Sequence, residues 1–188
     1  MRLRKIVLAF VFPFGLAADA EAQRAAARVA PEDIEIYARL IAMADVRELD
    51  MTLVERALAR KWGPLRAAAT LAIGQVGAEV GMKGAPLLRS LLKDSDARVA
   101  ANAAYALGLL RDSVSIADLN AALDSDAEVA REAAWALGEM GAAARTAIVN
   151  GLVPTRRPEV TIQLLLAAAK LQPVPLVQVG QYLRHDNP

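Results

Sequence analysis

The residues of this chain best suited to chemistry are two pairs of carboxylates, Asp94 with Asp96 and Asp124 with Asp126, each flanking a serine. Such a pair could contribute to a Ca²⁺ site or cap a helix. Calcium takes six to eight oxygen ligands, so capping is the expected role. The glycines at 74, 77, 81 and 84 match neither the dinucleotide fingerprint nor a P-loop followed by Lys-Ser/Thr, and they are expected to end helices. Arg156 and Arg157, between Pro154 and Pro158, would suit an anion but fit a solvated turn. The chain has no Cys and a single His, His185. No thiol nucleophile exists, and no metal site of the usual spacing can be drawn. The expectation is a protein that is not an enzyme, with no catalytic residue, no metal and no cofactor.

The elements that would carry these residues repeat. Asp94 to Leu110 and Asp124 to Met140 share 11 of 17 residues, and six of the identities are Asp, Ser, Asp, Val, Leu and Gly rather than the abundant Ala. The same phase runs through Leu65 to Gly74 and Val160 to Ala169, making four copies of one helix. Val99, Ala103, Ala106, Leu107 and Leu110 fall on one stripe at about 100° per residue, the mark of a helix facing a core. Asp96 and Asp126 stand at N-cap positions, Pro158 in a first turn, and Gly77 and Gly141 at helix ends.

A second helix is expected between copies, over 84–93, 115–123 and 142–153, with 51–60 before the first. The unit is an antiparallel helix pair of 30 to 34 residues. One pair cannot cover its own apolar face, so pairs stack into an elongated right-handed superhelix, roughly 40 Å long at about 10 Å per helix. The expected fold is all-α, an α-solenoid. Residues 23–50 are expected to cap it, with Ile34, Tyr37, Ala38, Ile41 and Ala42 as the packed stripe of a helix over 31–50. At the other end, residues 175–188 begin a pair without completing it, which should expose Leu176, Val179 or Leu183.

Arg2, Arg4 and Lys5, the apolar run Ile6 to Leu16 and the small residues after it form a secretory signal peptide, residues 1–22. Cleavage is expected after Ala22, or alternatively after Ala20, giving a periplasmic or extracellular protein. The apolar run is too short to span a membrane. Without the leader, the chain carries nineteen residues of each charge sign, which gives no electrostatic case for nucleic acid or a membrane surface as partner.

The pattern Asp-x-Asp-x-x-Val-x-x-x-Ala-Ala-aromatic-Ala-Leu-Gly resembles the second helix of HEAT repeats, in the short subtype named for phycobilisome lyases. The resemblance covers residues 51–188 and implies about four helix pairs plus a partial fifth. The usual Arg after the Val is present as Arg66 but is replaced by Ala100, Ala130 and Thr161, and the first copy has Arg60, Lys61 and Trp62 in place of Asp-Ser-Asp.

Tyr105 and Trp135 lie about 240° round the helix from Val99 and Val129, off the core stripe, and so face outward or along the neighbouring repeat. Leu71 and Leu166 occupy the same register. In proteins of this resemblance that helix layer lines a concave surface, so the four form a ridge flanked by Asn102, Arg131, Glu132 and Glu139. Aromatic and leucine side chains rimmed by polar groups have the composition of a protein-binding hot spot. The expected function is a monomeric, non-catalytic scaffold binding another protein or a peptide. The resemblance also admits the repeat portion of a larger exported enzyme such as a peptidyl-prolyl isomerase, or a lyase-like chaperone.

Overall fold

The computed structural model describes residues 29–183. Residues 1–28, which include the expected signal peptide, His185 and the side chain of Leu183 lie outside the described residues. The helices are α1 (Pro31–Val46), α2 (Met51–Leu58), α3 (Gly63–Gln75), a single turn α4 (Ala78–Gly81), α5 (Ala85–Leu91), α6 (Ala97–Leu110), α7 (Ile116–Ala122), α8 (Ala127–Met140), α9 (Arg145–Gly151), α10 (Pro158–Ala169) and α11 (Leu176–Leu183). Short 3₁₀ turns lead into α5, α7 and α9, and no strand occurs among the described residues. The fold is an α-solenoid of stacked antiparallel helix pairs: α2 with α3, α5 with α6, α7 with α8, and α9 with α10.

The longer helix of each pair forms one layer, in which α3, α6, α8 and α10 make the most extensive contacts in sequence order. Val99, Ala103, Ala106, Leu107 and Leu110 are all buried, as their spacing requires. The repeated glycine sets the spacing between these helices. A Cβ at Gly74 would lie 2.7 Å from the Cα of Ala106, and one at Gly108 would lie 2.8 Å from the Cα of Ala136. Backbones approach this closely only where a side chain is absent. Gly77 and Gly141, with φ of 95° and 56°, instead supply the left-handed residue that ends α3 and α8.

Asp96 caps α6 as expected, accepting a bond from the Arg98 backbone N–H at 3.1 Å. Asp126 occupies the N-cap of α8 but makes no side-chain capping bond. The preceding carboxylate explains the difference. Asp94 Oδ1 accepts the Asp96 N–H at 2.8 Å and folds that turn, whereas Asp124 Oδ1 is taken by Arg156 at 2.8 Å. In the first copy Trp62 stands at the N-cap without a side-chain bond, and Pro64 opens the helix.

Two expectations at the ends are corrected. Helix α1 buries Ile36, Leu40 and Met43, not the stripe of Ile34, Ala38 and Ile41; Ile34 is 58% and Ile41 54% exposed. Both stripes satisfy helical spacing, and tertiary anchors choose between them. Tyr37 tilts onto Trp62 with ring centroids 5.8 Å apart, and Asp33 Oδ1 sits 2.6 Å from Arg60 Nε, a close ion pair off the ideal hydrogen-bond direction. On α11, Leu176 is exposed as expected, but Val179 is half-buried against the core and Val177 is the exposed valine.

Candidate binding groove

The ridge residues take their places because α3, α6, α8 and α10 share one register. Leu71, Tyr105, Trp135 and Leu166 occupy equivalent turns, Leu71 and both aromatics half-buried and Leu166 56% exposed. The Tyr105 and Trp135 rings stack with centroids 4.6 Å apart and planes 25° from parallel. Trp135 also lies over Gly108, where a Cβ would come 2.6 Å from its Cζ3. The aromatics thus run along the neighbouring repeat while keeping part of their surface open.

Each polar residue of the rim has a partner. Asn102 Nδ2 donates to the Ala67 carbonyl of the preceding helix at 2.9 Å. Arg131 donates to Glu132 at 2.8 Å, and this ion pair holds the Arg131 guanidinium above its ordinary pKa. Glu139 bridges Lys170 at 3.0 Å and Arg111 at 3.7 Å.

Two adjoining cavities open where α1 stands beside α3 and α6. One, of about 360 Å³, is lined by Tyr37, Ile41, Leu71 and Asn102 among others. The next, of about 610 Å³, is lined by Ile41, Asp45, Tyr105 and Leu109. Ile41 and Gln75 line both, so the cavities adjoin as one groove whose lining mixes apolar side chains with polar ones such as Gln75, Asn102 and Asp45. Of the residues expected at the site, Leu71, Asn102 and Tyr105 line this groove. Arg131, Glu132, Trp135, Glu139 and Leu166 belong to α8 and α10, farther along, and line neither cavity. Sequence reasoning missed the α1 wall, because Ile41 was assigned to the core. It also missed Gln75 and Leu109, although they share the register of Glu139 and could have been found from it.

The carboxylate pairs are structural. Asp94 accepts from Arg66 of the preceding pair, and Asp96 from Arg98. Asp124 accepts from Arg156. Arg156 is not a solvated turn residue: its side chain is only 14% exposed and donates to the carbonyls of Gly151 and Leu123, each at 2.9 Å. Arg157 donates to the Ser125 carbonyl. The two arginines therefore tie the turn before α10 to the turn before α8. Among the described residues no three His, Cys, Asp or Glu side chains are grouped to hold a metal, and no helix is long and apolar enough to cross a membrane.

Stacked helix pairs, a shared register and a groove on the long-helix layer define the class: a helical-repeat scaffold. Two family models match, HEAT repeats over residues 51–138 and the PBS lyase HEAT-like repeat over residues 129–153. The chain belongs to the HEAT-repeat family. No curated protein matches it.

Proposed function

We propose that this chain is a non-catalytic scaffold that holds a segment of another protein in the groove between α1 and the ridge of α3 and α6. The observation that carries this reading is the joined cavity with Ile41 on one wall, Leu71 on its floor and Tyr105 at its far side. Each cavity has the size that holds a few side chains, and a trough of mixed apolar and polar lining beside parallel helices suits an amphipathic helix or short peptide. Arg98 is held by Asp96, and no nucleophile stands beside a base in the lining. The Trp135 and Leu166 end of the ridge would extend the contact for a longer ligand.

The test is a random-peptide display selection on the folded chain, with binders compared on Ile41→Asp. Ile41 is exposed, so the substitution leaves the core intact. Selected peptides are expected to lose roughly tenfold or more in affinity for the variant, as at other apolar hot spots. A selection that yields no binders, or binders indifferent to Ile41→Asp, overturns the reading.

Export belongs to the same proposal and rests on the residue types of positions 2–22 alone. N-terminal sequencing of secreted protein should begin at Gln23 or Glu21. An intact N-terminus in a membrane fraction would mean an anchor.

A further inference from the structure

The larger of the two cavities lies where three helices end. Asp45 in the last turn of α1, Gln75 in the last turn of α3 and Leu109 in the last turn of α6 all line it. The carbonyls of a last turn carry the negative end of the helix dipole, so three such ends converge on one space. None of the three helices has a basic residue in its last turn. Arg47 and Arg111 follow the ends of α1 and α6, but neither lines the cavity, and Arg111 reaches Glu139 instead.

Into this negative end the chain sets a carboxylate. Asp45 is exposed and, among the described residues, forms no ion pair, whereas Asp33, Asp94, Asp112 and Asp124 each hold an arginine. An acid in the last turn of a helix works against the dipole, so Asp45 does not serve α1. Tyr105 lines the same cavity, held in place by its stack on Trp135, and an aromatic face attracts a cation laid over it. Carbonyl ends, a carboxylate and a tyrosine ring together favour a positive group. The smaller cavity differs: its charged lining residues are Arg98 and Glu128, one of each sign, and Arg98 is held by Asp96.

We propose that the larger cavity is a subsite for a lysine or arginine side chain of the bound segment, with Asp45 as its counter-ion. The inference rests on the groove reading above and gives that groove a polarity. The apolar side of the segment lies along Ile41 and Leu71, and its basic residue sits where α1, α3 and α6 terminate. A single carboxylate falls far short of the six to eight oxygens of a calcium site, so the occupant is an organic cation.

The test uses the full chain and the peptides selected on it by random display. The binders are expected to share a Lys or Arg at a fixed place beside their apolar residues. In calorimetry with synthetic copies, replacing that residue by Gln, or Asp45 by Asn, should each weaken binding about tenfold or more. The two changes together should cost little more than either alone, because each removes the same contact. Asp45→Glu keeps the charge and should retain most of the affinity. Circular dichroism of the Asp45 variants checks that α1 remains. Binders that fail on Ile41→Asp yet share no basic residue, or that bind Asp45→Asn as well as the native chain, overturn the subsite and leave the groove standing. A selection without binders overturns the groove, and the subsite with it.

Discussion

Trp135 stacks on Tyr105 across the α6–α8 boundary, centroids 4.6 Å apart, and the same indole closes over Gly108. In these two copies one side chain is therefore both ridge and inter-repeat packing. A half-buried stacked ring contributes less than a buried core residue and more than an isolated surface one.

That places Trp135→Ala between two limits. Leu137→Ala empties a site with no exposure and should cost about 2–5 kcal/mol. Trp135→Ala loses a stacking contact of about 0.5–1.5 kcal/mol together with partial burial. Thermal unfolding of both variants should rank Leu137→Ala as the more destabilising. The reverse order would make the aromatic a core residue outright.

Gly108→Ala sets a Cβ against the Ala136 backbone and the Trp135 ring. It should cost about 1–3 kcal/mol by overpacking, despite a gain in helix propensity of about 1 kcal/mol. At Gly180, on α11, a Cβ meets nothing within 4 Å. Gly180→Ala should therefore stabilise by about 0.4–1 kcal/mol. Denaturant titration of the two variants should show opposite shifts of the midpoint, and a shared sign would refute the spacing argument.

Arg156→Ala removes donors from two carbonyls and one carboxylate and should cost about 2–3 kcal/mol. Asp124, whose side chain is 78% exposed, contributes little beyond a surface ion pair, so Asp124→Ala should cost under about 1 kcal/mol. Arg156→Lys should fail to restore stability, since a single ammonium cannot span the three acceptors in the geometry of the guanidinium. Comparable losses at Asp124 and Arg156 would mean that the ion pair, and not the carbonyl bonds, holds the two turns together.

Acid should loosen the start of α6. The Arg98 side chain holds the Asp96 carboxyl below its ordinary value against the opposing effect of burial, with a lesser contribution from the Arg98 backbone N–H. A carboxylate with a folded pKa below the unfolded one, about 3.9, contributes stability that is present above that value and lost as pH falls through the folded pKa. Protection of the Arg98 and Val99 amides from hydrogen exchange, taken relative to their intrinsic rates, should fall below about pH 4 in the native chain, and less so in Asp96→Asn, which caps without titrating. An equal acid response in both would remove Asp96 from the account.

The sequence by itself determined the repeat, its phase and the buried stripe. Val99, Ala103 and Leu107 lie within little more than two turns of one helix, and local geometry places them together whatever the rest of the chain does. The Asp96 cap, the Pro158 start and the glycines at 77 and 141 are equally local. Only the tertiary structure decided which of two adequate stripes on α1 turns inward, because the anchors that choose, Tyr37 on Trp62 and Asp33 on Arg60, join residues 25 and more positions apart in the chain. The groove followed from that rotation, since it moved Ile41 from the core to a wall. Arg156 and Asp124 met for the same reason: the turn before α10 passes beside the turn before α8 only once the pairs have stacked. A stripe read from spacing shows which residues can share a face, and the neighbour that arrives to cover it shows which face is buried.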